Sequence, residues 1–89
     1  MQHSNIADLV DRTNAPPAQP RDYIDVRSLG PPEPLQRTLE RLVELPKKTV
    51  LVQCNDRTPQ FLYPKLTDRG YTFETLERPD GVVTVIWRE

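Results

Sequence analysis

Eighty-nine residues, 36% hydrophobic and 28% charged, leave room for one small domain and no second core. Twelve basic against thirteen acidic residues give a net charge of -1, which supplies no field to hold a nucleic acid or an anionic membrane. A single cysteine excludes an intrachain disulfide, and without a secretory h-region or an apolar run of transmembrane length the expected setting is the cytoplasm.

Residues 1–20 read apart from the rest. Ser4 is placed to cap a short helix in which Ile6, Leu9 and Val10 fall on one side, but a helix of that length does not hold alone. Pro16, Pro17 and Pro20 among Asn14, Ala15 and Gln19 describe an extended linker. The expectation is a frayed tail and linker over residues 1–20, with docking onto the sheet or a partner as the alternative, and a folded domain over residues 21–89. His3, with no second ligand nearby, reads as an exposed imidazole.

The domain is organised around a strand over residues 23–26, where Ile24 and Val26 alternate with Tyr23 and Asp25. Gly30 turns the chain, and a helix begins near Pro32. Pro32 and Pro34 forfeit no hydrogen bond in a first turn, and Glu33 suits the positive dipole end. Leu35, Leu39, Leu42 and Val43 then mark one buried helix face, and Pro46 stops the helix at Leu45.

The run of residues 49–52, continued by Gln53 and Cys54, suits a central strand covered on much of both sides. A right-handed parallel crossover brings Arg27 and the Cys54-Asn55-Asp56-Arg57 turn to the same sheet edge, where open α/β sheets place ligands. Thr58 and Pro59 open a second helix with Phe61, Leu62 and Leu66 apolar and Gly70 at its end, and Pro64 predicts a kink or a late start. Residues 71–76 and 82–88 read as strands joined in a hairpin by Arg78-Pro79-Asp80-Gly81.

The order β-α-β-α-β-β predicts an α+β, two-layer sandwich with two helices on one face of a four-stranded mixed sheet. Its expected core is Ile24, Val26, Leu35, Leu39, Leu42, Val50, Val52, Leu66, Val83 and Val85. The stretch Asp25-Val26-Arg27-Ser28-Leu29-Gly30-Pro31-Pro32-Glu33-Pro34-Leu35 resembles the opening of the TusA-like sulfur carriers, whose strand leads through a Gly-Leu pair to Cys-Pro-x-Pro. A closer resemblance is to the uncharacterised bacterial branch called DUF 2249. It rests on Asp25-Val26-Arg27, Pro34-Leu35, Asn55-Asp56-Arg57-Thr58-Pro59, Leu62-Tyr63-Pro64 and Arg69-Gly70-Tyr71, and covers residues 23–88. The resemblance implies a sheet order of 1-2-4-3 with the last strand antiparallel.

TusA-type carriers hold sulfur as a persulfide on the cysteine of that motif. Pro31 stands at this position here, so the relay mechanism does not carry over. Prolines 31, 32 and 34 also remove the N-H groups that a phosphate cradle needs. Cys54 is the alternative thiol, but its strand parity with Val50 and Val52 turns it toward an apolar face. Cys54, Asn55 and Asp56 lack the histidine that would complete a metal set, and no cofactor is expected.

The leading expectation is a non-enzymatic binding module. Its recognition edge is drawn from Arg27, Glu33, Asn55, Asp56, Arg57 and Tyr63, with the two arginines as bidentate donors to a carboxylate-bearing ligand or a protein. A sulfur or redox carrier through Cys54 is the first alternative. RNA binding is the second, against which the charge balance argues. A protein partner or weak homodimer is expected on an open sheet face formed by Tyr23, Leu51 and Ile86 beside Gln53 and Thr84.

Overall fold

The computed structural model describes residues 2–88, with side chains from residue 6 onward, so the reading of His3 lies outside them. The elements are α1 (Gln2–Asp11), β1 (Arg21–Asp25), α2 (Glu33–Glu44), β2 (Val50–Asn55), α3 (Leu62–Asp68), β3 (Thr72–Arg78) and β4 (Gly81–Trp87). One sheet has the order β1-β2-β4-β3, with β1 parallel to β2 and the remaining pairs antiparallel. This is the expected small α+β domain with a mixed four-stranded sheet, and it carries α2 and α3 on one face.

The opposite face is not open. Ile6, Val10 and Ala15 are buried with Val50, Val52, Cys54, Val83, Val85 and Trp87, and Leu9 and Tyr23 pack at the margin. Residues 2–20 are therefore a docked helix and strap rather than a frayed tail. Helix α1 starts ahead of Ser4, which is not its cap. Several bonds tie the strap, among them Thr13 Oγ1 donating to the Val10 carbonyl at 2.6 Å, the Asn14 N-H donating to Glu74 at 2.8 Å, and Arg21 pairing with Asp11 at 2.6 Å.

The register corrects which residues share a core. Tyr23 pairs with Val52 and Ile24 with Gln53, so Ile24 lies on the opposite face from Val50 and Val52. Ile24, Leu35, Leu39, Leu42 and Leu66 pack beneath α2 and α3 with Leu51, Leu62 and Ile86. Val50, Val52, Val83 and Val85 belong to the α1 side. Leu51 and Ile86, expected on an open face, are 0% exposed under the helices, and Tyr23 sits on the other side of the sheet. An interaction patch of Tyr23, Leu51 and Ile86 does not exist. β2 carries apolar side chains on both faces because both faces are covered, and all six of its residues are buried.

Two helix readings also shift. α3 begins at Leu62, so Pro64 falls in the first turn, where its missing N-H leaves no bond unmade. Phe61, expected among the apolar residues within that helix, precedes it and is 81% exposed. In α2 the buried stripe centres on Thr38 and Leu42 and leaves Val43 in solvent.

If α1 is a structural layer, truncating its best-buried side chain weakens the whole domain. Val10→Ala is expected to lower unfolding free energy by about 2 kcal/mol. Urea denaturation measures this, and a frayed tail would leave the midpoint unchanged.

Candidate functional site

A cleft of about 580 Å³ opens at the carboxyl end of β2, on the helix-covered face of the sheet. The loop before α2 supplies Leu29, Pro31 and Pro32, the first turn of α2 supplies Pro34 and Leu35, and the end of β2 with the connection into α3 supplies Gln53 and residues 55–62. Most of the lining is apolar. The volume falls in the range of small-ligand pockets, and the four proline rings give walls with little conformational freedom to lose.

Beneath the cleft runs a buried chain of side-chain hydrogen bonds. Asn55 Nδ2 donates to Gln53 Oε1 at 3.4 Å, Gln53 Nε2 donates to Thr38 Oγ1 at 2.7 Å, and Thr38 donates to the Pro34 carbonyl at 2.7 Å. All three side chains are buried. Asn55 Oδ1 also accepts the backbone N-H groups of Asp56, at 2.8 Å, and Arg57, at 3.4 Å, which sets the turn that forms one wall.

The rim has no net charge. Arg57 Nε lies 3.4 Å from Asp56 Oδ1, and both side chains are largely in solvent. Helix α2 begins at Glu33 behind Pro32, with Pro34 in its first turn and no side-chain cap. The Glu33 N-H donates to the Gly30 carbonyl at 3.0 Å. Few N-H groups therefore remain to cradle an anion at this helix start.

Of the residues expected to form one recognition edge, Asn55, Asp56 and Arg57 meet at the cleft, and the other three do not line it. Arg27 is bound in bidentate fashion to Asp25, at 3.0 and 2.7 Å, and lies 3.2 Å from Asp80. Its guanidinium pins the first strand's exit to the β3-β4 hairpin. These contacts push the Arg27 pKa up and, chiefly through the Arg27 side chain, lower that of Asp25. The hairpin is held closely: Gly81 has φ 151°, and a Cβ there would strike the Asn55 carbonyl oxygen. Glu33 is exposed in the first turn of α2. Tyr63 stacks on Phe73 with ring centroids 4.6 Å apart and bonds Thr75, packed half-buried against the helix-side core.

Cys54 is buried among Val52, Val83 and Val85 on the α1 side and does not line the cleft. Burial, then Asp25, raises its pKa against the opposing pull of Arg27 and Arg78. Among the described residues no group of three or more His, Cys, Asp or Glu side chains is placed to hold a metal ion, and no helix is long and apolar enough to cross a membrane.

Phe61 was missed as a site residue because it was read only as one of the apolar residues of the second helix. It lines the cleft's outer edge and is 81% exposed. Leaving a phenyl ring in water forgoes about 2 kcal/mol of burial free energy. A single exposed apolar residue means little, but this one is continuous with an apolar cleft.

No curated protein and no solved structure matches the chain. A family described as "Uncharacterized conserved protein (DUF2249)" matches residues 23–88, from the first strand to the end of the last and without α1 or its strap. The chain belongs to this DUF2249 family.

Proposed function

We propose that this chain is a non-enzymatic binding module of TusA-like type that captures an uncharged apolar group, such as an aromatic side chain of a protein partner, in its proline-walled cleft. The observation that carries this reading is convergence: Pro34-Leu35, Asn55-Asp56-Arg57-Thr58-Pro59 and Leu62, drawn from separate segments, line one apolar cavity. Rigid walls keep the entropic cost of capture low. The balanced rim and the prolines at the helix start disfavour phosphate, sulfate and nucleic acid as occupants. Pro31 stands where TusA-type carriers place their persulfide cysteine, which removes the sulfur relay from the same site.

Titrating isotope-labelled protein with N-acetyl-phenylalanine amide and, separately, inorganic phosphate tests this reading. The aromatic probe is expected to shift the backbone amides of Asn55, Arg57, Gln60 and Phe61, and phosphate is expected to leave them unmoved. Shifts from phosphate alone, or none from the aromatic probe, would overturn it.

A sulfur or redox carrier acting through Cys54 requires an accessible thiolate. The buried thiol holds its proton to higher pH than in the unfolded chain. Its contribution to stability is therefore full below the ordinary thiol pKa and is lost as pH rises through the folded value. Iodoacetamide labelling of native protein at pH 7 is expected to be slow and to accelerate sharply in urea. Rapid native labelling would favour the carrier.

A further inference from the structure

We infer that the cleft is occupied by Phe61 of a second copy of this chain, so that the module forms a weak two-fold dimer through its cleft face. The inference rests on the apolar-capture reading of the cleft and names the partner.

A two-fold interface must be self-complementary: one patch has to carry both a projection and the cavity that receives it. This patch does. Phe61 projects from the residue before α3, 81% exposed, at the edge of the cavity walled by Pro31, Pro32 and Pro34. The turn beneath it is fixed, because the Leu62 N-H donates to the Pro59 carbonyl at 3.1 Å and the Gln60 N-H to the Thr58 carbonyl at 2.9 Å. The ring is thus presented on backbone that is already ordered.

The charges meet the same requirement. The rim carries Asp56 and Arg57, adjacent in sequence and exposed over 46% and 73% of their side chains. In that dimer Asp56 of each copy faces Arg57 of the other, and the ion pair each chain makes internally, at 3.4 Å, is exchanged for two equivalent pairs across the axis. With one aromatic anchor and exposed ion pairs from each copy, the dimer is expected to be weak, with a dissociation constant of about 10–1000 μM.

Sedimentation velocity from about 10 μM to about 1 mM reads the equilibrium directly. The wild-type chain is expected to shift from monomer toward dimer, and Phe61→Ser to weaken association by about tenfold or more. Asp56→Arg and Arg57→Asp each place like charges opposite one another twice, so each variant alone is expected to associate less than wild type. Mixing the two is expected to restore a dimer, since every cross-pair is then opposite in sign. Far-ultraviolet circular dichroism of the three variants checks that folding is retained, as all three positions are in solvent.

A wild-type monomer throughout the range, a dimer indifferent to Phe61→Ser, or a mixture no better than its components would overturn the inference. If the wild type is monomeric while N-acetyl-phenylalanine amide still shifts the cleft amides, the cleft remains an apolar-capture site and only the second copy as its occupant is withdrawn.

Discussion

The fold of the site depends on one buried polar chain, running from Asn55 through Gln53 and Thr38 to the Pro34 carbonyl. A glutamine in the centre of a sheet covered on both faces has no water to turn to, and an unpaired amide there would cost about 1–3 kcal/mol. Thr38 meets that need, and doing so fixes the rotation of α2 about its axis. The buried stripe is drawn toward Thr38, Val43 is left in solvent, and the proline-rich first turn of the helix is held across the end of β2. The same chain ends at Asn55, whose oxygen organises the turn forming the opposite wall. The cleft is the space between two walls that share one hydrogen-bonded floor.

The sheet separates two chemistries that proximity in sequence would merge. Asn55, Asp56 and Arg57 follow Cys54 directly, yet the thiol points to the α1 side and the turn faces the cleft. Arg27 and Asp80 tie the end of β1 to the hairpin, which Gly81 allows to lie against Asn55. That cluster consumes the charge of Arg27 structurally, so the cleft is left with an electrically balanced rim. The proposed apolar occupant rests on this division, whereas a site combining both arginines would have favoured an anion.

Element order was legible in the sequence because periodicity, proline positions and the Pro79-Asp80-Gly81 turn each specify local backbone, whereas the sheet order came only from the family resemblance. The parity of Cys54 against Gln53 was legible for the same reason. Face assignment between strands was not: Ile24 and Val52 are equally apolar, and only the register of β1 on β2 decides that they lie on opposite sides. The docking of α1 was obscured because a short helix behind prolines reads as a tail, while its stability comes from tertiary burial of Ile6 and Val10. Phe61 and Tyr63 were misplaced. The late start of α3 puts Phe61 ahead of the helix and in solvent, and packs Tyr63 against the helix-side core instead of at the recognition edge.

The central claim is that the buried chain through Thr38 shapes a binding cleft that Thr38 itself does not line. The most direct measurement is the affinity of Thr38→Val for N-acetyl-phenylalanine amide, read from amide shifts beside a urea midpoint. Valine keeps the volume and removes both hydrogen bonds, so the domain should lose about 1–3 kcal/mol while remaining folded, and the probe should bind distinctly more weakly than to the wild type. Equal affinity for both chains, or no binding to either, would contradict the account.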